Sequence, residues 1–563
     1  MKKTITDIFT ILSRREKIRF TQLVVMDILV SILDISFLAI LLYLVHFYTA
    51  PHQVMIENVF LFTFLDKHPV IPILIFFVLF SIKNMFGFSV FRNQFRYVYQ
   101  VASRLSRNNM QLYFSGSYNE YVSVDSSVHS RKIAQYPIEF GHYIVGGFQQ
   151  IISQSILISI TIAAVLIYNP VLFPLLLIIL APPIILSGIL LKKKIHRLRK
   201  TAKTINEKTQ QSLYEAISGF IESNINKRQH FFINRYYSNQ ATLNDFFAEQ
   251  QSINNMPSRL IEVFAIFGLA VLILVNSFTA KGGAVQVITI GAFMAAAYKI
   301  IPGIVKILNS TGQMKTFGFA IDALLKSSTV KTTESISTNT PVSSVAFKKV
   351  FFSYKDETVL SNFSFDIEKG DMAGISGVSG KGKTTIINLL LGFLEPQRGR
   401  IFINDTETTA GERQQHWNKI AYDKQQPFFI HDSIRNNILL SEDVYDADKL
   451  DNIIKITGLY NLIEQYPEGL DTVITENGKN ISGGQRQRIM LARTLYKDAD
   501  MIILDESFSE LDRASENSML NYFRSLAAAG KIIILITHNK ESLSFCNKVI
   551  SLDERYTAHI HNN

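Results

Sequence analysis

The stretch Gly377-Val-Ser-Gly-Lys-Gly-Lys383-Thr384 decides how the second half of this chain folds. It has the form G-x-x-x-x-G-K-[ST], whose glycines let successive backbone N–H groups turn towards an anion. An apolar run enters it and a helical run leaves it, so phosphates would lie at a helix N-terminus. The motif predicts that Lys383 reaches the β- and γ-phosphates and that the Thr384 hydroxyl ligates Mg²⁺. The residues assigned to phosphate binding are Gly377, Val378, Ser379, Gly380, Lys381, Gly382, Lys383, Thr384 and Thr385.

Two later apolar strands end in polar residues that suit nucleotide hydrolysis. Residues 501–505 form the first strand, in which Asp505 is placed to hold Mg²⁺ and Glu506 follows as the group that polarises the attacking water. Residues 532–536 form the second strand, which leads to His538. A neighbouring parallel strand would deliver this histidine to the γ-phosphate, and a purely structural histidine is the alternative.

The composition of the first half of the chain indicates a membrane domain. Of the 563 residues, 47% are hydrophobic and 18% are charged. Residues 1–326 carry 31 Lys and Arg against 16 Asp and Glu, whereas the remaining residues carry 26 against 31. The positive charge therefore lies in the apolar half, where it is expected to face anionic lipid, and it does not support nucleic-acid binding. The single Cys546 excludes an intrachain disulfide and fits a reducing compartment.

Six apolar runs are each near the length of about 20 residues that a helix needs to cross a bilayer of about 30 Å. They are residues 23–48, 69–91, 151–168, 171–191, 260–275 and 288–308. Any one of them could be a buried helix of a soluble protein, but six in succession predict a membrane domain. The first run is too long for a signal peptide, so we expect a retained helix.

The placement of Lys and Arg predicts the orientation of these helices. Basic residues precede the first run and follow the second and fourth, whereas the opposite loops have almost none. By the positive-inside rule, both termini face the cytoplasm. The long segments 92–150 and 192–259 are expected to prolong the membrane helices into the cytoplasm, with turns near residues 115–117 and 218–219.

The predicted fold class combines two architectures in one chain. Residues 1–326 form an all-α polytopic membrane domain of six long helices with cytoplasmic extensions. Residues 327–344 are a Ser- and Thr-rich linker. Residues 345–563 form an α/β P-loop ATPase domain with a mostly parallel core sheet, because short β-branched runs alternate with helical ones.

Together these motifs resemble an ATP-binding cassette (ABC) transporter half of the exporter type. Ile481-Ser-Gly-Gly-Gln485 matches the family's signature motif, and the resemblance implies that it binds the γ-phosphate of a nucleotide held by a partner cassette. Its serine also opens a helix, which provides a second anion-binding N-terminus. The resemblance further implies adenine stacking by Tyr354 (strand packing is the alternative), Mg²⁺ sensing by Gln425, coupling contacts by Glu476 and Gly478, a switch role for His538, and nucleotide contacts by Ser482, Gly483, Gly484, Gln485 and Asp512.

The sequence departs from the family pattern at three places. Lys381 stands where Ser or Cys is usual, Ile481 replaces the usual Leu, and Ser507-Phe508-Ser509 replaces Ala-Thr-Ser. None of these changes removes a catalytic group. We therefore expect both composite sites of a homodimer to be active.

The resemblance implies a homodimeric, ATP- and Mg²⁺-dependent exporter or lipid flippase in the cytoplasmic membrane of a bacterial-type cell. The layout is similar to that of lipid-linked oligosaccharide flippases, so a lipid-linked or amphipathic substrate is favoured over a peptide or a drug. A soluble cassette ATPase of repair or translation is the second hypothesis, and six apolar runs argue against it. An ATP-gated channel is the third, which a requirement for hydrolysis would distinguish.

Asp27, Asp34, Lys83 and Lys299 are among the ionisable residues inside the predicted spans, where each is costly unless it is paired or faces water. Counting 1.5 Å per residue puts Asp27 near the depth of Lys83 and Lys299, so an ion pair is expected there. Asp34 lies about 10 Å deeper, where no basic residue of any run matches it. We expect Asp34 to face a water-filled cavity and to contact a polar or cationic part of the substrate; a protonated carboxyl bonded to a neighbouring helix is the alternative.

Overall fold

The chain divides into two compact units, one helical and one α/β. The first unit comprises residues 1–116 and 123–332, and the second comprises residues 117–122 and 333–563. The computed structural model describes residues 2–49, 70–116, 118–168, 170, 172–279, 285–329, 337–355, 357–377, 382–441, 444–552 and 558–562.

The described residues up to Thr329 are almost entirely helical. Wide π-helical turns lie at Arg131–Gln135 and Phe140–Gly146. The helices run in the order α1 (Lys2–Ile11), α2 (Arg14–Thr49), α3 (Val70–Phe114), α4 (Tyr118–Ser123), α5 (Ser126–Ser130), α6 (Tyr136–Glu139), α7 (Gly147–Tyr168), α8 (Leu172–Ser218), α9 (Phe220–Ile225), α10 (Gln229–Thr279), α11 (Val285–Thr316) and α12 (Phe319–Thr329).

Each predicted apolar run falls within one of these helices, apart from residues 69 and 171, which lie outside the described part of the chain. Among the described residues, three stretches have the length and composition to cross a membrane: Arg14–Val45, Val70–Phe114 and Ser126–Ile167. The other runs lie in α8, α10 and α11, and six crossings stay a prediction. The turns expected near residues 115–117 and 218–219 follow the ends of α3 and α8, and each leads into a short helix.

The N-terminal helix is packed into the first unit rather than left on its surface. Ile8, Phe20 and Leu324 belong to one buried cluster, which joins α1, α2 and α12. Beside this cluster the Arg104 guanidinium donates two hydrogen bonds to the Glu16 carboxylate, at 2.7 and 2.8 Å. A two-bond guanidinium–carboxylate pair fixes geometry as well as charge, so it sets the position of α2 against α3.

The ion pairs of the apolar helices correct the expectation for the acidic residues. Asp34, not Asp27, is paired with both lysines: it contacts Lys83, and the Lys299 Nζ lies 2.8 Å from the Asp34 Oδ2. Asp27 instead accepts hydrogen bonds from Gln94 and Ser153.

The depths of Asp27 and Asp34 were expected from their distances to the ends of the apolar runs. The helices extend beyond those runs, since α2 begins at Arg14 and α3 continues unbroken to Phe114. The ends of a run therefore do not mark a common level in two neighbouring helices. Tilt and register between helices decide which residues meet, and a single sequence does not encode them as a pattern.

The second unit contains two larger sheets and a small two-stranded one. The orders are β2-β1-β4-β5, then β12-β11-β3-β10-β9-β6, and β7-β8. The strands are β1 (Ser344–Tyr354), β2 (Glu357–Glu368), β3 (Met372–Ser376), β4 (Arg398–Ile403), β5 (Thr406–Glu407), β6 (Ile420–Asp423), β7 (Asp432–Ser433), β8 (Val473–Ile474), β9 (Met501–Asp505), β10 (Ile532–Ile536), β11 (Lys548–Leu552) and β12 (Ala558–Asn562).

Helices cover these sheets. They are α13 (Lys383–Leu390), α14 (Ala410–Gln415), α15 (Ile434–Leu439), α16 (Ala447–Thr457), α17 (Tyr460–Glu464), α18 (Gly483–Tyr496), α19 (Arg513–Ala528) and α20 (Lys540–Leu543). A helical half followed by an ATPase half with sheets confirms the coarse fold prediction. The domain boundaries stay a prediction: of the proposed linker, residues 327–329 end α12, and residues 330–336 lie outside the described part of the chain.

Strand β10 is buried on both faces because its side chains alternate between two cores. Ile533 and Leu535 belong to one buried cluster, whereas Ile532, Ile534 and Ile536 belong to the other. Alternation with period two is the geometry of a strand, and an unbroken apolar run is what a parallel strand covered on both sides requires. In register, β10 pairs in parallel with β3 on one side and with β9 on the other.

We predict that Gly399→Ala destabilises the second unit. The Gly399 backbone has φ +82°, and an added Cβ would lie 2.2 Å from the Lys349 carbonyl oxygen, which belongs to the paired strand and cannot move aside. The expected loss is about 1–3 kcal/mol in the free energy of unfolding. Trp417, the one tryptophan of the chain, lies in this unit, so its fluorescence in a urea titration reports the loss.

The matched control is Gly411→Ala. An added Cβ there meets nothing within 4 Å, and the position lies in α14, where alanine is favoured. Its urea midpoint should stay the same or rise. Equal midpoints for Gly399→Ala and the wild type would contradict the proposed strain.

Candidate nucleotide site

Four neighbouring strands bring the predicted catalytic groups to one edge of the large sheet. Strands β3, β10, β9 and β6 are adjacent and parallel, so their carboxyl ends lie side by side. The residues that follow them are Gly377, His538, Glu506 and Gln425, in the same order across the sheet. This edge is where α/β sheets bind ligands, because loops there leave the strands in different directions.

Lys383 is the central cation of this edge. It is buried, and its Nζ donates to the Gly377 carbonyl oxygen at 2.8 Å and lies 2.7 Å from the His538 Nε2. Neither partner is an anion. Burial lowers the pKa of Lys383, and the nearby Glu506 and Asp505 charges oppose that shift. A phosphate at this position would supply the negative charge that the buried ammonium lacks.

The phosphate loop leads directly into α13. Gly382 caps this helix with φ +94°, and an added Cβ would lie 2.6 Å from the Val359 Cγ1, so only glycine fits there. Thr384 is exposed on the first turn, whereas Thr385 is buried. The assignments to Val378, Ser379, Gly380 and Lys381 fall outside the described residues.

Glu506 is held between the two other groups expected to take part in hydrolysis. Gln425 donates to its Oε2 at 2.6 Å, and the His538 Nε2 lies 3.2 Å from its Oε1. The Glu506 backbone has φ +56°, an uncommon conformation for a non-glycine residue that often marks functional positions. The structure therefore joins Lys383, His538, Glu506 and Gln425 in one chain of contacts.

Asp505 has a partner that the sequence analysis missed. The Tyr422 hydroxyl donates to the Asp505 Oδ2 at 3.1 Å, and burial raises the pKa of Asp505. Asp423, the next residue after Tyr422, is also buried, and burial raises its pKa to about 7. The signal for Tyr422 was its position on a strand paired with residues 501–505, which becomes readable only once the strand order is known.

The oxygen donors at this edge suit Mg²⁺ bound together with phosphates. Thr384 offers a hydroxyl, Gln425 an amide oxygen and Asp505 a buried carboxylate, and Mg²⁺ in nucleotide enzymes takes one or two protein oxygens besides phosphates and water. Within the described part of the chain, no group of three or more His, Cys, Asp or Glu is placed to hold a metal by itself. The residues present therefore fit a metal carried by a nucleotide.

The signature motif forms a second, separate helix start. The Ser482 hydroxyl accepts from the Gln485 N–H, and the Gln485 side chain accepts from the Ser482 N–H at 2.8 Å, a capping box that opens α18. The loop after Glu506 packs on this start so closely that an added Cβ on Gly483 would overlap the Glu510 carboxylate. Asp512 caps α19 by accepting from the Ser515 N–H at 2.9 Å.

The structure thus divides the predicted nucleotide residues into two groups. The Lys383 group comprises Lys383, His538, Glu506 and Gln425, and the Ser482 group comprises Ser482, Gly483, Gly484 and Gln485. Among the described residues, no side-chain hydrogen bond or ion pair joins one group to the other. Tyr354 ends β1 with an exposed ring, which lies edge-on to Phe352 with centroids 5.0 Å apart. Its stacking on adenine stays a prediction, as do the nucleotide roles of the signature residues and of Asp512.

A family model described as "ABC transporter" matches residues 360–509. The matched segment contains the phosphate loop, the signature motif and Glu506. Residues 360–509 thus form an ABC transporter domain. His538 and Asp512 lie beyond the matched residues.

Two curated ABC proteins illustrate how far the similarity extends. The ATP-dependent lipid A-core flippase of Desulfotalea psychrophila is 29% identical over 363 residues, which cover 62% of this chain and 63% of that protein. The leukotoxin translocation ATP-binding protein of Mannheimia glucosida is 32% identical over 212 residues, which cover 37% of this chain and 30% of that protein. The chain therefore matches less than two thirds of the length of either relative.

A solved structure covers nearly the whole ABC chain. The structure of a bacterial Atm1-family ABC exporter with ATP bound matches 96% of this chain and 95% of its own, with a TM-score of 0.78 at 18% sequence identity. The likeness shows that this chain has the exporter fold. Together with the family match and the flippase relative, it confirms the predicted resemblance to an exporter-type half transporter.

We predict that Glu506→Gln slows ATP hydrolysis by roughly 100-fold or more, because it removes the group that polarises water, while ATP binding persists. The measurement is phosphate release alongside binding of a fluorescent ATP analogue. Glu407→Gln is the control: it removes a carboxylate of the same unit that forms an exposed ion pair with Arg400, and it should leave hydrolysis unchanged. Near wild-type hydrolysis by Glu506→Gln would disprove the assigned role.

We also predict that Tyr422→Phe lowers the affinity for Mg²⁺ without lowering the affinity for ATP. The lost hydroxyl donates to Asp505, the predicted Mg²⁺ ligand, and losing such a hydrogen bond to a metal ligand commonly costs about 10- to 100-fold in metal affinity. The Mg²⁺ concentration for half-maximal hydrolysis at saturating ATP should rise accordingly. An unchanged Mg²⁺ dependence would leave Tyr422 a packing residue of β6.

Proposed function

We propose that this chain couples ATP hydrolysis to the export or flipping of a substrate across the cytoplasmic membrane, acting as a homodimer with both termini in the cytoplasm. The observation that carries the proposal is the contact chain of Lys383, His538, Glu506 and Gln425 at one sheet edge. Helices long and apolar enough to cross a membrane belong to the same chain. An ATPase site and a membrane domain in one polypeptide suit transport better than a soluble ATPase.

The residues at this edge of the large sheet have different roles in hydrolysis. Lys383 neutralises the transferred phosphate, and Glu506 polarises the water that attacks it. Gln425 and His538 each contact one oxygen of Glu506, so they can hold its carboxylate in place. Mg²⁺, when bound with ATP near Thr384 and Asp505, supplies further charge neutralisation.

Two copies of the chain would complete the site. The start of α18 is an anion-binding N-terminus with no bond to the Lys383 group among the described residues, so a phosphate held there would come from another cassette. ATP between the two would bind the copies together, and hydrolysis would release them. That gives a two-state element whose equilibrium depends on the nucleotide.

A lipid-linked or amphipathic compound is the favoured substrate class. The match to the lipid A-core flippase extends over 363 residues, well beyond the cassette, whereas the match to the leukotoxin translocation protein extends over 212. The membrane domain is the part of a transporter that meets the substrate, so the longer match has more weight. Export of a peptide or a drug is the alternative.

The composite site leads to a complementation prediction. Lys383→Ala removes the phosphate-neutralising cation, and Ser482→Arg blocks the opposite wall, so each variant alone should be inactive. A mixed dimer keeps one intact site and one doubly damaged site. With random pairing, co-expression under different tags should restore roughly a quarter of wild-type hydrolysis.

Co-expression of two differently tagged Lys383→Ala chains is the control and should restore nothing. Sequential purification on both tags verifies that mixed dimers form. If verified mixed dimers hydrolyse no ATP, the site is not shared between chains in the way proposed.

A further inference from the structure

A cavity of about 660 Å³ opens among the apolar helices of the first unit. It lies between α2, α3 and α11, in the stretch where α2 and α3 have the composition of membrane-crossing helices. Its walls include the ion cluster of Asp34, Lys83 and Lys299. This cavity is therefore a polar site within an apolar part of the molecule.

The charges in the cavity do not balance. Asp34 is the one carboxylate among the lining residues described, and it contacts both lysines. Lys83 also lies 5.2 Å from the centre of the Phe80 ring and within hydrogen-bond distance of the Asn84 side chain. The lining carries a net charge of +1, and one acid can neutralise only one of two ammonium groups. An unbalanced cation in an apolar region is costly unless an anion joins it.

Aromatic rings make up most of the remaining wall. Phe37, Phe76 and Phe80 pack on one another with centroids 5.7–5.9 Å apart. Phe88 and Phe91 present exposed rings to the cavity. An aromatic surface of this kind can pack against a hydrocarbon chain, whereas the surplus ammonium group can bind an anion.

An open surface of α3 adjoins this cavity and also carries positive charge and aromatic rings. It shares Phe88 and Phe91 with the cavity and includes Arg92 and Arg96, with no carboxylate among its described lining residues. Arg92 follows Lys83 by nine residues, or about 14 Å along the same helix. Positive charge and aromatic surface therefore continue along α3.

We propose that this cavity binds one anionic amphiphile, with its acidic headgroup at Lys299 and Lys83 and its hydrocarbon against the phenylalanines. The proposal names the substrate class of the proposed transporter and rests on that function. It reverses the expectation of a cationic substrate group at Asp34. That carboxylate is already occupied by two lysines, and a further cation would increase the charge imbalance.

The test is equilibrium binding of two short-chain fluorescent lipids to the full chain in phosphatidylcholine vesicles, without ATP. One probe is a phosphatidylglycerol, which is anionic, and the other is the matching phosphatidylcholine, which is zwitterionic. The wild type should bind the anionic probe at least about tenfold more tightly. Because no nucleotide is needed, the result does not depend on whether hydrolysis or transport occurs.

Charge-changing variants test whether the surplus cation is the cause. Lys299→Gln leaves a neutral Asp34–Lys83 pair and should reduce the preference for the anionic probe to within about threefold. Asp34→Asn combined with Lys299→Gln restores the net charge of +1 and should restore the preference, which lost packing could not do. Lys306→Gln, an exposed lysine on the same helix that is not among the lining residues, is the control and should change nothing.

The proposal is overturned by equal binding of both probes by the wild type, by an undiminished preference in Lys299→Gln, or by no recovery in the double variant. Free inorganic phosphate is added as a competitor. If it displaces the anionic probe at equal concentration, the ligand needs no hydrocarbon and is not an amphiphile.

Discussion

The buried ammonium of Lys383 is the constraint on which the cassette depends. A buried cation requires polar partners, and those of Lys383 lie at the ends of three separate strands. They are the Gly377 carbonyl, the His538 ring and, further off, the Asp505 and Glu506 carboxylates. They can meet only if β3, β10 and β9 are adjacent and parallel. That arrangement in turn requires the unbroken apolar runs whose side chains alternate between two cores.

A charged residue also links separate elements of the helical unit. There the constraint is Asp34, which holds Lys83 and Lys299 from two other helices. In both units a charged residue, buried Lys383 or half-buried Asp34, contacts elements that are far apart in sequence. In the cassette the charge lacks an anion and can accept phosphate, and in the helical unit one lysine remains in excess.

The sequence predicted those features of the structure that short segments determine by themselves. The phosphate loop, the strand end at Asp505 and Glu506, and the signature serine as a helix cap are all properties of short segments, and the structure has the helix starts and strand ends at those positions. Tyr422 was missed, and the partners of Asp27 and Asp34 were exchanged. These depend on strand order and on the tilt of long helices, which arise from packing between distant segments and leave no periodic trace in one sequence.

The contacts of Glu506 have a consequence for how its carboxylate can move. Gln425 donates to one oxygen and the His538 Nε2 lies against the other, so both neighbours limit rotation of the side chain. These two residues follow different strands, β6 and β10, which flank β9 on opposite sides. The orientation of one carboxylate therefore depends on the loops that follow both neighbouring strands.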